Sequence, residues 1–360
     1  MKGGLTMRGR RLRDRLKGWG GVGAMAAVCA LALAWALLLP ARPDSGTTTD
    51  AGGPGGVTRA TQARADKNCP TPAMEDAPEK QTLSPSSADG RTIQAIKNRP
   101  GERRKLIVGV DQNSYRWGYR DPNSGGKGDL EGFDIDLVHR IAKDILGDEN
   151  AVQFKAIPTD QRIPAIKSGR VDMVVRTMTI NCSRLGDVAF SAPYFKTGQQ
   201  VLAPKSSTIT GYDGSLAKKK ICTAKGSTAN TKLTDDRKAK TLVSTADLRT
   251  TVPNQLDCLV RLQLGEVDAV VTDGALAASQ AAQDPTVELK GKPFTTEYYG
   301  VAMRKDADDL VRRVNQVLVD YRADRANGWQ ASYGRWLSAT LGKTSSTSEP
   351  PSPPEYDRKS

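Results

Sequence analysis

The sequence predicts an α/β protein of two units, each a mostly parallel sheet covered by helices. Short apolar runs of strand type alternate with helix-length segments, and that rhythm occurs twice along the chain. The length of 360 residues leaves room for two cores plus tails. In the first unit, Leu106-Ile107-Val108-Gly109-Val110 is a buried-type strand stopping at Asp111. Gly132 opens an amphipathic helix to about Leu146, Val152 to Ile157 is strand, and Asp160 to Lys167 is helix. Val171 to Val175 is the next strand, after a Ser-Gly-Arg turn. The second unit repeats the pattern. Lys220 to Ala224 is strand, followed by Gly226-Ser227-Thr228 and a helix; Thr241 to Ser244 is strand and Pro253 to Gly265 helix. Val267 to Thr272 is a strand ending at Asp273, before a helix over Ala275 to Ala282. Tyr298 to Lys305 is strand, Ala307 to about Arg322 helix, and Trp329 to Leu337 a short helix.

The ends read differently. Residues 1–20 carry seven basic groups against Asp14, a large part of the formal net charge of +13. Val22 to Leu39 follows without a charge, so the basic segment is a membrane-topology signal. The reading is a cytoplasmic segment over 1–21 and a transmembrane signal anchor over 22–40, with a cleaved signal peptide as the rival. Residues 41–102 read as an extracytoplasmic linker with a short helix over Ala88 to Asn98, ended by Pro100, and the Ser/Pro-rich residues 343–360 as a disordered tail. No basic-aromatic stripe suggests nucleic acid. Export leaves Cys69, Cys182, Cys222 and Cys258 in an oxidising compartment, enough for two disulfides in any of three pairings. No cysteine or histidine spacing supports a metal, and no cofactor is implied. The single histidine, His139, argues against histidine-dependent hydrolysis.

Ligands of parallel sheets sit beyond the carboxyl ends of the strands, where Asp111, Thr177 and Thr179 fall. Arg184 follows in a short loop and offers a planar two-pronged donor for a carboxylate. Gly226-Ser227-Thr228 opens a helix, where free amides and a partial positive charge favour an anion; plain capping explains the same residues. Asp273, at a strand end, can take an ammonium or simply cap the next helix. A carboxylate clamp (Arg184, Thr179, Thr228) opposite Asp273 has the polarity of a zwitterionic amino acid.

Residues 103–340 resemble the extracytoplasmic solute-binding proteins for polar amino acids, family 3, with the type II periplasmic-binding fold. The matching runs are LEGFDIDLVHRIA, DQRIPAIKSGRVDMVV, TMTINCSR, FSAPYFKTGQQVLAPK, KGSTANTKL, LGEVDAVVTDGA, YYGVAMRKD and GWQASYGRWL. The resemblance implies lobe one over 103–201, lobe two over 202–296 and a return to lobe one over 297–342, with crossovers near Leu202 and Thr296. It assigns Arg184 and Thr179 to the ligand carboxylate, with the amide of Thr177 assisting. Thr228 becomes the lobe-two partner and Asp273 the acceptor for the amino group. Cys222 with Cys258 looks paired as in actinobacterial glutamate-type members, leaving Cys69 with Cys182. Arg176 stands where many members carry a small residue. It suits a second ligand carboxylate, hence aspartate or glutamate before their amides, unless it pairs with an acid such as Asp111. Tyr115, Trp117 and Tyr119 are candidates for an aromatic flanking the ligand.

The resemblance implies a monomeric binding protein that presents its amino acid to the membrane permease of an ABC importer. Some actinobacterial glutamine/aspartate-binding proteins sharing TMTI-x-C instead serve a membrane sensor upstream of a Ser/Thr kinase. A dehydratase-type enzyme is the remaining alternative on this fold; it needs a positioned general acid, for which only Asp or Glu is available. The lipobox cysteine of the family is missing, and the apolar N-terminal segment stands in its place.

Overall fold

The computed structural model describes Cys69, residues 75–121 and residues 128–359. The expected anchor over 22–40 lies outside these residues; among those described, no helix is long and apolar enough to cross a membrane.

The strands are β1 (Leu106–Val110), β2 (Asn113–Ser114), β3 (Gly118–Arg120), β4 (Leu130–Glu131), β5 (Val152–Ala156), β6 (Met173–Val174), β7 (Val188–Phe190), β8 (Phe195–Thr197), β9 (Gln199–Pro204), β10 (Lys220–Ala224), β11 (Asp247–Val252), β12 (Ala269–Asp273), β13 (Val287–Lys290), β14 (Glu297–Tyr299) and β15 (Ala302–Arg304). The helices are α1 (Arg91–Lys97), α2 (Phe133–Leu146), α3 (Arg162–Lys167), α4 (Cys182–Asp187), α5 (Thr228–Lys238), α6 (Gln255–Gln263), α7 (Gly274–Gln283), α8 (Asp308–Ala323), α9 (Trp329–Trp336) and α10 (Ser338–Leu341).

Two five-stranded sheets form, in the orders β5-β1-β6-β15-β7 and β11-β10-β12-β9-β13. In each, four strands run in one direction and only the fourth in the order, β15 or β9, just arrived from the other lobe, runs antiparallel to its neighbours. The apolar runs of β1 and β12 are covered on both faces, as parallel strands require. The crossovers themselves pair, β8 with β14. Gly198 lies between them so close to the backbone that a Cβ would stand 2.1 Å from the Thr295 carbonyl. The crossing therefore comes at Gly198, and β9, part of which the sequence reading gave to lobe one, belongs to lobe two. The strand expected at Thr241–Ser244 is displaced to β11, after a turn in which Leu242 and Ala246 are buried.

The linker expectation is corrected for residues 75–102 and the tail expectation for residues 343–359; residues 41–68 and 70–74 lie outside those described. Residues 82–97 are built into lobe one, with Leu83, Ile93 and Ile96 buried and Thr82 Oγ1 donating to the Phe190 carbonyl at 2.8 Å. The tail returns across the same lobe, the Asp357 and Arg358 amides donating to the carbonyls of Lys80 and Thr82 at 2.9 and 3.1 Å. Buried apolar side chains and paired backbone groups explain why neither segment is a free tether. Disulfides join Cys222 to Cys258 and Cys69 to Cys182.

Behind the cleft, lobe one holds an aromatic cluster. Trp117 meets Phe195 edge-on at 4.9 Å, and Phe195 stacks on Tyr299 at 5.8 Å and on Trp329 at 6.2 Å. Rings in such arrangements add to plain area burial and stiffen what rests on them.

Candidate ligand-binding cleft

The carboxyl ends of β1 and β6 face the start of α5 and the end of β12 across the two lobes. The lobes are closed on one another. The Thr159 amide donates to the Pro253 carbonyl at 3.1 Å, Thr159 Oγ1 to Gln255 Oε1 at 3.1 Å, and Trp117 Nε1 to Ser279 Oγ at 3.2 Å.

Arg184 lies on the single short helix α4, where the Asn181 side chain accepts its amide at 2.9 Å. Its guanidinium is buried, donating Nη1 to the Thr179 carbonyl at 2.7 Å and Nη2 across the cleft to the Gly226 carbonyl at 3.2 Å. Burial pulls its pKa below the usual arginine value, against the pull of Glu297 and Asp273. Arginine's intrinsic pKa is high enough that the group stays cationic. Arg162, at the start of α3, is the neighbour that the sequence reading passed over. It too is buried, donating Nε to the Thr159 carbonyl at 2.9 Å and Nη2 to the same Gly226 carbonyl at 3.4 Å. Two guanidiniums thus converge on one neutral carbonyl at long distances. An anionic oxygen is a better partner for both, since charge-assisted bonds are shorter and about twice as strong.

Thr177 and Thr179 are both buried at the end of β6. Thr177 takes a φ of +41°, a left-handed conformation that costs a non-glycine residue about 1–3 kcal/mol. Its amide is fixed by Asp134 Oδ2 at 3.1 Å, and Tyr194 Oη holds Asp134 Oδ1 at 2.9 Å. Burial pushes the Asp134 carboxyl up to about 7, opposed by these two donors. Asp134 looks in sequence like an acid favourable in a first helical turn, so its inward role carried no signal.

Thr228 opens α5, half-buried, while Ser227 supplies the capping oxygen by accepting the Asn230 amide at 3.1 Å. Capping is therefore done by Ser227, and the Thr228 hydroxyl is left to other partners. Asp273 is buried at the end of β12 and accepts Tyr299 Oη at 2.6 Å. Its side chain makes no cap to α7. Burial, then Glu297, raise its carboxyl to about 7, with Tyr299, Arg184 and Arg162 pulling the other way. Glu297 adds a second buried acid that sequence reasoning missed. Its Oε1 is held by Gln199 and Thr295 at 2.9 and 3.0 Å, and its Oε2 has no partner. Two carboxyls crowded in a dry site are each short of a cation, and an ammonium supplies one.

Arg176 is fully buried and pairs with Asp111 at 2.8 Å. It also donates Nη1 to Thr159 Oγ1 at 2.9 Å and Nη2 to Asn254 Oδ1 of lobe two at 3.1 Å, leaving Nε without a partner. Asp111 further accepts the Gln112 and Asn113 amides and Ser114 Oγ. The alternative in which Arg176 pairs with Asp111 is thus the observed one, and Asp111 acts on the cleft by holding that guanidinium. Of the three aromatic candidates, Trp117 is core. Tyr119 packs edge-on to Tyr115 at 5.0 Å and to Trp336 at 6.3 Å. Tyr115 lines a cavity of about 10 Å³ between the lobes with Leu256, Ser279 and Gln280, room for roughly one water.

This two-lobed topology, with its cleft at the strand ends, is matched by sequence over residues 106–339 to the bacterial extracellular solute-binding proteins, family 3. The chain belongs to that family. It is 33% identical over 246 residues to the ABC transporter glutamine-binding protein of Bacillus subtilis (strain 168), covering 68% of this chain and 84% of that protein. It is 29% identical over 258 residues to a glutamate-binding protein of Corynebacterium efficiens, covering 68% and 81%. The crystal structure of a solute receptor for L-cysteine of Neisseria gonorrhoeae superposes with a TM-score of 0.62 at 27% identity, covering 70% of this chain and 96% of that one. Family 3 proteins with these names are binding proteins of transport systems, which is not a catalytic role.

Closure brings Gly226 against lobe one. With φ at +76°, a Cβ there would stand 2.8 Å from the Asp160 Cα of the opposite lobe. Gly226→Ala is therefore expected to weaken ligand binding at least tenfold by opposing closure, beyond the cost of roughly 1–2 kcal/mol for left-handed alanine. Titration calorimetry beside a melting curve separates the two; unchanged affinity would mean that closure does not require this contact.

Proposed function

We propose that this protein is an extracytoplasmic receptor for an acidic or amide amino acid, delivering it to an ABC importer. The observation that carries the reading is the meeting of two buried guanidiniums of lobe one, Arg184 and Arg162, with two buried acids, Asp273 at the end of β12 in lobe two and Glu297 on the crossover strand β14, around one interlobe cleft. The ligand's α-carboxylate takes the place of the Gly226 carbonyl at Arg184, with Thr179 and Thr228 completing its shell; the Thr177 amide expected to assist is spent on Asp134. Its ammonium lies at Asp273, whose orientation Tyr299 fixes. Binding both halves across the lobes favours the closed form by differential affinity, the only way a ligand shifts such an equilibrium.

Arg176 is neutralised by Asp111 and spends both terminal nitrogens on Thr159 and Asn254, so it braces the closed lobes and offers no free cation to a side-chain carboxylate. Arg176→Gln is expected to lower affinity for glutamate and glutamine alike, leaving their ratio within about twofold. Competition titrations check this; a loss confined to the acids would make Arg176 the side-chain reader. The glutamine- and glutamate-binding relatives support this ligand class. Thermal unfolding against each of the twenty amino acids tests the function itself, since a ligand specific for the folded form raises the midpoint by mass action. A shift confined to aspartate, glutamate and their amides is expected. No shift with any amino acid would refute the reading.

A further inference from the structure

We propose that the Cys69–Cys182 disulfide is a positioning device for the carboxylate clamp, holding the short helix that carries Arg184 so that its formation raises affinity for the amino acid. The inference rests on Arg184 being the carboxylate partner, as proposed above.

Helix α4 has six residues, about 9 Å of helix, well below the length at which a helix supports itself. Cys182 is its first residue and is buried; Arg184 lies two positions on. The segment closes on itself locally. Asn181 accepts the Arg184 amide at 2.9 Å, and the Arg184 guanidinium returns to the Thr179 carbonyl at 2.7 Å. Its far end is anchored: Leu185 is buried in the lobe-one core, Lys305 donates to the Gly186 carbonyl at 2.8 Å, and the chain passes directly into β7, paired with β15. The covalent tie at the near end is the disulfide, whose Cα atoms are 5.3 Å apart across 113 residues of sequence.

The other bridge is of a different kind. Cys222 on β10 and Cys258 on α6 are both wholly buried in one lobe-two core, joining elements that already pack together. Cys69 instead precedes the family-matched region at 106–339 and belongs to the arm that runs onto lobe one. The bridge therefore fastens that arm to the clamp helix. A ligand that needs Arg184 in one place gains from the constraint, and linkage makes the effect reciprocal: the bound ligand must stabilise the disulfide by the same factor.

The test uses the intact extracytoplasmic protein in glutathione redox buffers, with and without L-glutamate, L-aspartate or L-glutamine, whichever binds tightest. Two glutathione thiols become glutathione disulfide as the protein bridge becomes two thiols, and peptide mapping reads each bridge separately. Saturating ligand is expected to shift the Cys69–Cys182 equilibrium about tenfold toward the disulfide and Cys222–Cys258 less than twofold. The paired variant Cys69→Ser/Cys182→Ser is expected to bind about tenfold more weakly, and in an Arg184→Lys background that loss should vanish. Equal shifts at both bridges, or none at Cys69–Cys182 in a protein that binds the ligand, would overturn the proposal. If the paired variant does not fold, the redox titration of the unmutated protein decides alone. Binding of none of the three amino acids would overturn the functional reading, and the inference with it.

Discussion

Replacing Arg184 by alanine is expected to raise the dissociation constant for the amino acid by roughly 30- to 5,000-fold. Truncating one partner of a buried, hydrogen-bonded charge pair costs about 2–5 kcal/mol, which is that range of affinity. Arg184 is buried with one terminal nitrogen spent on the Thr179 carbonyl and the other on a carbonyl of the opposite lobe. It is thus already aimed across the cleft, and a carboxylate there needs no rearrangement of the helix. Arg162 cannot replace it fully, because its Nε and Nη1 are tied to the carbonyls of Thr159 and Arg176. The ligand-free variant should keep its fold, since the lost guanidinium was itself costly to bury. Arg184→Lys should fall between, keeping charge but losing the planar fork. Calorimetric titration measures both; Arg184→Ala with wild-type affinity would move the carboxylate elsewhere.

Asp273→Asn should abolish binding to a similar degree and yet stabilise the ligand-free protein. The folded Asp273 carboxyl holds its proton up to about 7, whereas 3.8 is the ordinary value. The stabilisation supplied by the neutral carboxyl is fully present below pH 3.8 and is lost as pH rises through 7. At pH 8 the wild type therefore carries a buried charge that awaits its ammonium, and asparagine does not. A gain of about 1–3 kcal/mol at pH 8 is expected, with a shallower fall in stability between pH 4 and 7 than in the wild type. Chemical denaturation at pH 4, 6 and 8 reads it directly. A destabilised Asp273→Asn at pH 8 would mean that the carboxylate is already satisfied without a ligand. Asp134 also sits at about 7, but it is spent on Thr177 and Tyr194, so Asp134→Asn should disturb the Thr177 turn rather than mimic Asp273→Asn.

How much of this was legible in the sequence follows from what each residue does locally. Strand ends are written in apolar runs that stop at a polar residue, so Asp111, Thr177, Thr179 and Asp273 could be placed from periodicity alone. Arg184 needed only a loop and a hydroxyl-bearing strand end. Arg162 was different, because an arginine before Ile163-Pro164-Ala165-Ile166 looks like the solvent end of a helix. The carbonyls of Thr159, Arg176 and Gly226, none of them predictable from local pattern, turn it inward. Glu297 falls just before, and Tyr299 within, the expected strand Tyr298 to Lys305; their partners, Gln199 and Thr295 for Glu297 and Asp273 for Tyr299, are set by tertiary structure. The arm and tail were misread for a related reason. Their composition is that of linkers, and what holds them is a few buried residues, such as Leu83, and backbone bonds to distant parts of lobe one. Composition cannot show a partner that is far away in sequence.

The most direct test of the central claim is calorimetric titration with L-glutamate beside glutarate and 4-aminobutyrate, which lack its α-ammonium and its α-carboxylate. The account predicts binding of glutamate and loss of at least a hundredfold in affinity for each analogue, since each leaves either Asp273 or Arg184 buried without its partner. Glutarate or 4-aminobutyrate binding as tightly as glutamate would contradict it.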